Sequence, residues 1–298
     1  MIIRRSLSLA LLLATLAGLV LTPAGRAAGS SVPPPPDEGT PPVPWPGQTF
    51  RFEHLGLEDG LSQSTVTAIL QDKQGFLWFG TEDGLNRFDG YTFKVFKPDP
   101  ADPESVSDRW IQALYEDRVG SLWIGTRLGG LNRYDSQTGR FTRFKHDSSN
   151  PASLSSNTVN ALYQDPAGIL WIGTDEGLDW FDPATGMVTR VRADFGDGTS
   201  LRGEAVKAVF GDSLGNVWIG FSDNGLVFYD ASLGAFTRFG ADDPIKSRLC
   251  ASSINAIAET FDGMIWVATS NGLARIYPDT GLVVCYRNNP ADAKTLAG

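Results

Sequence analysis

After about Phe50 the apolar positions fall into short runs broken by Gly- and Asp-containing turns, and one pattern returns five times. Its centre is an apolar pair around Trp followed by a small residue. The five copies are Leu77-Trp78-Phe79-Gly80-Thr81, Leu122-Trp123-Ile124-Gly125-Thr126, Leu170-Trp171-Ile172-Gly173-Thr174, Val217-Trp218-Ile219-Gly220-Phe221 and Ile265-Trp266-Val267-Ala268-Thr269. The five Trp are separated by 45, 48, 47 and 48 residues, and a Gly-Leu pair such as Gly84-Leu85 or Gly177-Leu178 follows each. A fixed period of this length predicts β-propeller blades rather than shorter solenoid units.

The spacing inside each unit is tighter still. Leu61, Val106, Leu154, Leu201 and Leu249 each lie 17 residues before their Trp. A β-branched residue (Val66, Ile111, Val159, Val206 or Ile254) comes five positions later. Each unit resolves into four strands. The innermost, near Val66 to Leu70, carries Ala68, repeated as Ala113, Ala161, Ala208 and Ala256 where blades converge and space is least. An Asp-to-Gly turn follows (Asp72 to Gly75, Asp117 to Gly120, Asp165 to Gly168, Asp212 to Gly215), with Thr260 replacing the Asp in the fifth unit. The second strand places its Trp in the wedge between neighbouring blades. Asp83-Gly84 predicts a tight hairpin into a third strand, Leu85 to Phe88, and Phe93 to Phe96 forms the fourth, outer strand. Units two and four carry one extra residue before Gly130 and Gly225, a longer turn or a bulge. The expected fold is therefore all-β, a propeller of four-stranded blades over about 61–97, 106–145, 154–192, 201–240 and 249–287. Phe50-Arg51-Phe52 is expected to be a closing strand. Asn289-Pro290 echoes Asn150-Pro151, and by the same spacing another inner strand begins near position 301, so these residues are expected to be part of a longer propeller.

Outside the repeat, Arg4 and Arg5 precede an apolar run from Leu7 to Leu21 and small residues, which predicts a signal peptide over 1–27; an uncleaved anchor is the alternative. Residues 28–48 hold a cluster of prolines and are expected to form an extended linker. The body of the chain is thus expected to be exported, periplasmic or otherwise extracytoplasmic. A net charge of −9 argues against a nucleic-acid surface, which needs clustered cations. Cys250 and Cys285 either pair or stay as thiols; spacing does not decide between them.

The Leu-Trp-Ile-Gly-Thr-x-x-Gly-Leu core resembles the two-component regulator propeller family. Asp-x-x-Gly precedes it and Asn-Arg-Phe-Asp or Asn-Arg-Tyr-Asp follows, while Gly60-Leu61-Ser62 and Asn150-Pro151-Ala152-Ser153-Leu154-Ser155 extend the likeness. The resemblance covers nearly everything after the linker. It implies a periplasmic ligand sensor, an inner-membrane anchor and a dimeric full-length protein. The output it implies is a histidine kinase, often a hybrid, or in some members a diguanylate cyclase.

No catalytic, cofactor or metal site is legible. His54 and His146 are the only histidines, and HExxH, CxxC, G-x-S-x-G and phosphate-binding Gly loops are absent. Asp72, Asp117, Asp165 and Asp212, with Asp89, Asp135, Asp182 and Asp230, are expected to serve their own turns, calcium being the alternative. Trp78, Trp123, Trp171, Trp218 and Trp266, with Gly80, Gly125, Gly173 and Gly220, are expected to be framework. Trp110 and Trp180 break the repeat and are the candidates for facing a ligand. Three readings stay open: a non-enzymatic sensor for an extracytoplasmic ligand such as a glycan, an exported carbohydrate-active lyase or hydrolase, and a protein-binding scaffold.

Overall fold

The computed structural model describes residues 53–192, 201, 203–239, 249–292 and 295–296. The expected leader (1–27), the linker (28–48) and the closing strand at Phe50 to Phe52 lie outside the described residues. Among those described, within the unit Glu53–Gly298, twenty strands form five four-stranded antiparallel sheets. Blade 1 is β1 (Val66–Gln71), β2 (Leu77–Thr81), β3 (Gly84–Phe88) and β4 (Phe93–Phe96). Blade 2 is β5 (Ile111–Glu116), β6 (Leu122–Thr126), β7 (Leu131–Asp135) and β8 (Arg140–Phe144). Blade 3 is β9 (Val159–Gln164), β10 (Leu170–Thr174), β11 (Gly177–Asp182) and β12 (Met187–Arg190). Blade 4 is β13 (Val206–Gly211), β14 (Val217–Phe221), β15 (Leu226–Asp230) and β16 (Ala235–Phe239). Blade 5 is β17 (Ile254–Glu259), β18 (Ile265–Thr269), β19 (Gly272–Tyr277) and β20 (Leu282–Tyr286). Strands pair in chain order in every sheet, and β1, β5, β9, β13 and β17 pack consecutively, each against the next.

The apolar positions form four cores, each shared by one blade and its successor. Trp78, Trp123, Trp171 and Trp218 each sit in one of them beside residues of the following blade. Three of their rings meet the aromatic of the next third strand: Trp78 with Tyr134, Trp123 with Phe181 and Trp171 with Tyr229, at centroid distances of 5.2, 5.3 and 5.1 Å. Each of the four indoles is also held from below. Its Nε1–H donates to the turn carboxylate six residues earlier, Asp72, Asp117, Asp165 or Asp212, at 2.8–3.0 Å. The other oxygen of each carboxylate accepts backbone N–H groups of the same turn. The Asp residues therefore build the turn and orient the Trp together. In blade 5, with Thr260 in that place, Trp266 is only half-buried.

The repeat Gly has a steric reason. A Cβ on Gly80, Gly125, Gly173 or Gly220 would lie 2.4–2.7 Å from the γ-carbon of Ile111, Val159, Val206 or Ile254, the first residue of the next inner strand. The Gly and the β-branched residue are thus two halves of one blade-to-blade contact. Gly220→Ala, the tightest case, is expected to destabilise the chain by about 1–2 kcal/mol through overpacking. Urea unfolding against the parent checks this; an unchanged midpoint would mean the blades are not in that contact.

The hairpin between second and third strands is set differently from the expectation. In blade 1 Glu82 and Asp83 form the turn, and Gly84, at φ 127°, is already the first residue of β3 opposite Thr81. Thr81 closes it by donating Oγ1–H to the Gly84 carbonyl at 2.9 Å. In blades 2 and 4 the added residue lengthens this turn.

Blades 1, 2, 3 and 5 are each further latched to the connection that enters them. In blade 1 the Ser62 N–H donates to Asn86 Oδ1, and Asn86 Nδ2 donates to Ser62 Oγ, both at 2.9 Å. Ser107 and Asn132 repeat this in blade 2 at 2.9 and 2.7 Å. In blade 3 the partner is Asp179, whose Oδ2 accepts from Ser155 N–H and Oγ–H at 2.7 and 2.9 Å. In blade 5 Cys250 stands in the Ser position and Ala274 in the Asn position, and Cys250 is bonded to Cys285, with Cα atoms 5.5 Å apart. The cysteines, left open by the sequence, are therefore paired.

Candidate functional site: a bulge-lined axial mouth

Every inner strand contains one residue too many. Val66 lies opposite Thr81 and Ala68 opposite Gly80, so Thr67 has no partner across the ladder. The same β-bulge isolates Gln112, Asn160, Lys207 and Asn255. A bulge re-aims its side chain and frees it from the in–out alternation of the strand. All five bulged side chains, one from each blade, line a single cavity of about 450 Å³, and Trp110 stands at its side. The flanking positions are constrained by the Gly contact and by the narrow hub. The bulged position is not: it is polar in all five blades and differs among them.

The mouth is partly pre-organised. Thr67 Oγ1 donates to the Ile111 carbonyl at 2.5 Å, and Asn160 Nδ2 donates to the Val206 carbonyl at 2.9 Å, each reaching the next blade. Asp175 accepts from Asn160 Nδ2 at 2.8 Å and Lys207 Nζ at 3.0 Å. Burial opposes the charge on Asp175, but those two donors outweigh it and hold its carboxyl below the usual range. The Lys207 charge is thereby matched at the site. The Gln112 Oε1 is buried and has no partner among the described residues. Arg127 lies over Trp110, 3.9 Å from the ring centroid, and fixes the indole. Amides, a hydroxyl, a neutralised ammonium and an indole suit a neutral, polar, hydroxyl-rich ligand better than a strongly charged one.

Of the two ligand-facing candidates, Trp110 lines this mouth and Trp180 does not. Trp180 lies on β11, directly opposite Trp171, and lines a different cavity. His54 is exposed, and His146 Nδ1 bonds the Leu154 carbonyl at 2.6 Å, so neither joins the mouth. Asp89, Asp135, Asp182 and Asp230 each accept the backbone N–H two residues on, at 2.8–2.9 Å. No group of three or more His, Cys, Asp or Glu is placed to hold a metal among the described residues. Sequence reasoning missed the bulged ring. Its signal was present: the residue between each β-branched position and its Ala reads Thr, Gln, Asn, Lys, Asn.

Comparison with known proteins gives a consistent picture. The family described as "Two component regulator propeller" matches residues 60–83, 105–127 and 153–176. Over 58 residues the chain is 55% identical to Histidine kinase P4 of Formosa agariphila, covering 20% of this chain and 4% of that protein. The extracellular domain of the hybrid two component system BT3049 from B. thetaiotaomicron is 28% identical with a TM-score of 0.52, over 80% of this chain and 36% of that one. The extracellular domain of the one component system BT4673 from the same organism superposes at 0.61 with 23% identity, over 80% and 34%. Virginiamycin B lyase of Staphylococcus aureus superposes at 0.57 with 14% identity, over 75% and 70%. The last two share the fold alone. The chain spans 4% of the curated relative and about a third of the two B. thetaiotaomicron domains.

Proposed function

Because the chain belongs to the two component regulator propeller family, we propose that it is the extracytoplasmic ligand-sensing region of a membrane-anchored, dimeric signalling receptor. The output we assign to the whole protein is a histidine kinase of the hybrid kind; a diguanylate cyclase is the alternative output. The resemblance to extracellular domains of two-component systems and to a histidine kinase supports this reading. The observation that carries it is the bulged ring, in which a constant frame presents Thr67, Gln112, Asn160, Lys207 and Asn255 as five separately chosen contacts. A glycan or its breakdown product fits the neutral, amide-rich lining. A ligand touching several blades at once favours one spacing of the inner strands over others, and that differential affinity is what biases an output.

A lyase or hydrolase is supported less well. The fold is shared with virginiamycin B lyase, but neither the histidines nor the repeat carboxylates line the mouth.

The test uses the full-length receptor in membrane vesicles with oligosaccharides supplied on the sensor side. One of them is expected to stimulate autophosphorylation. Gln112→Ala or Asn255→Ala is expected to weaken that response about two- to tenfold per substitution, the loss of one hydrogen bond. A response indifferent to every bulged position would remove the mouth from sensing. Cleavage of the oligosaccharide by the purified chain would favour the enzyme.

A further inference from the structure

The third strand of the repeat carries an arginine opposite the core Trp in three of the five blades. The guanidinium carbons of Arg87, Arg133 and Arg275 lie 5.9, 5.8 and 5.6 Å from the ring centroids of Trp78, Trp123 and Trp266. Arg275 also contacts Asp262 at 3.3 Å, so in blade 5 one guanidinium has an indole on one side and a carboxylate on another. In blade 3 this position is Trp180, and in blade 4 it is Phe228.

In blade 3 the Trp180 ring fills the arginine's place, 5.2 Å from Trp171, and a cavity opens beside it. It has a volume of about 400 Å³, and its walls include Trp171, Trp180 and Tyr229 with the carboxylates of Asp165 and Asp182. Asp182 is held below the usual carboxylate range by the Ala184 backbone N–H and the Thr185 hydroxyl. Trp180 stacks on Phe236 with an interplanar angle of 22°, and Phe236 is not among the residues lining the cavity. The Trp180 Nε1 is buried without a partner among the described residues, so no hydrogen bond of the fold explains the indole at this position. Blade 4 also has a cavity, about 250 Å³, but one of its carboxylates, Asp262, is already taken by Arg275.

We propose that the blade 3 cavity binds a guanidinium group from outside the chain, beside the Trp180 ring that replaces the repeat's own arginine. Three aromatic rings and two carboxylates suit a planar, weakly hydrated cation, which gains from both the ring faces and the paired charge. The site is separate from the axial mouth and does not depend on what that mouth recognises.

The experiment titrates the purified chain with N-acetyl-arginine amide and, as a neutral isostere, N-acetyl-citrulline amide. Binding is followed by calorimetry and indole fluorescence. Saturable binding of the arginine probe and at least roughly tenfold weaker binding of the citrulline probe are expected. Trp180→Arg, which restores the residue found in three sister blades, is expected to abolish binding by replacing a ring wall with a like charge. Asp182→Asn, which keeps an acceptor for the turn, is expected to weaken it severalfold, and Lys94→Ala, exposed on the outer strand of blade 1, to leave it unchanged. No saturable binding, equal binding of both probes, or binding that survives both Trp180→Arg and Asp182→Asn would overturn the proposal. Should Trp180→Arg fail to fold, the probe comparison and Asp182→Asn decide alone.

Discussion

Reducing the Cys250–Cys285 bond is expected to cost the chain about 3–4 kcal/mol, the loop-closure contribution of a bridge between residues 35 apart. The effect should concentrate in blade 5. Cys250 lies in the connection entering that blade and Cys285 on its outer strand β20, so the bond does what Ser62 with Asn86, and Ser107 with Asn132, do by hydrogen bonding in blades 1 and 2. Without it, blade 5 has Ala274 where those blades have Asn, and the Arg287 guanidinium, donating to the Cys250 carbonyl at 3.2 Å, is left to tie the connection to the blade. Urea unfolding with and without dithiothreitol measures the loss, and hydrogen exchange in β17 and β20 locates it. A midpoint indifferent to reductant would show the bond to be redundant. The triple change Cys250→Ser, Ala274→Asn and Cys285→Val reproduces the residues of blade 1, where Val95 faces Asn86, and is expected to recover part of the stability.

Asp179→Asn is expected to stabilise the chain at neutral pH by about 2–3 kcal/mol and to leave it little changed below about pH 4. Asp179 is fully buried. Burial raises its carboxyl from 3.8 to about 6, against the Ser155 donors and the positive charge of Arg190 and His146. Glu176 and Arg192 line the cavity beside it. Between those two values the native chain holds a proton that the unfolded chain releases. Stability from this group is therefore complete below about pH 4 and falls as pH rises through 6. Register supplies the structural reason. Asn86 Nδ2, at the same position in blade 1, donates to the carbonyls of Phe79 and Gly84, whereas Asp179 Oδ1 has no partner among the described residues. Only a protonated carboxyl or an amide carries a hydrogen to place there. Thermal unfolding of parent and variant at pH 3.5, 6 and 8 tests this. Parallel curves with a constant gap would mean that Asp179 does not titrate.

Much of the architecture was legible because its cause is local and repeated. The Trp spacing, the Asp-to-Gly turn and the small inner Ala each answer a constraint that every blade meets, so each recurs in register. The Gly of the Trp motif was visible as a pattern, but its partner was not. Only coordinates show that Gly80 faces Ile111 in the next blade rather than a residue of its own. The bulged ring escaped for the opposite reason. Variation at one position inside a constant frame reads as tolerance until five such residues are found lining one cavity. The latch of blade 5 was hidden because Cys250, Ala274 and Cys285 replace a Ser–Asn pair through chemistry that resembles neither residue.

The Gly-to-branched contact also has a direction. Gly80, Gly125, Gly173 and Gly220 each accept a residue from the unit that follows in the chain. Each unit therefore carries a socket that stays open until the unit after it packs against it, so the blades interlock in one sense along the chain. Excising one whole unit preserves the fit: without blade 3, the Gly125 socket would receive Val206 in place of Val159, a valine for a valine. A cut made inside a unit would leave one socket empty and one plug without a home.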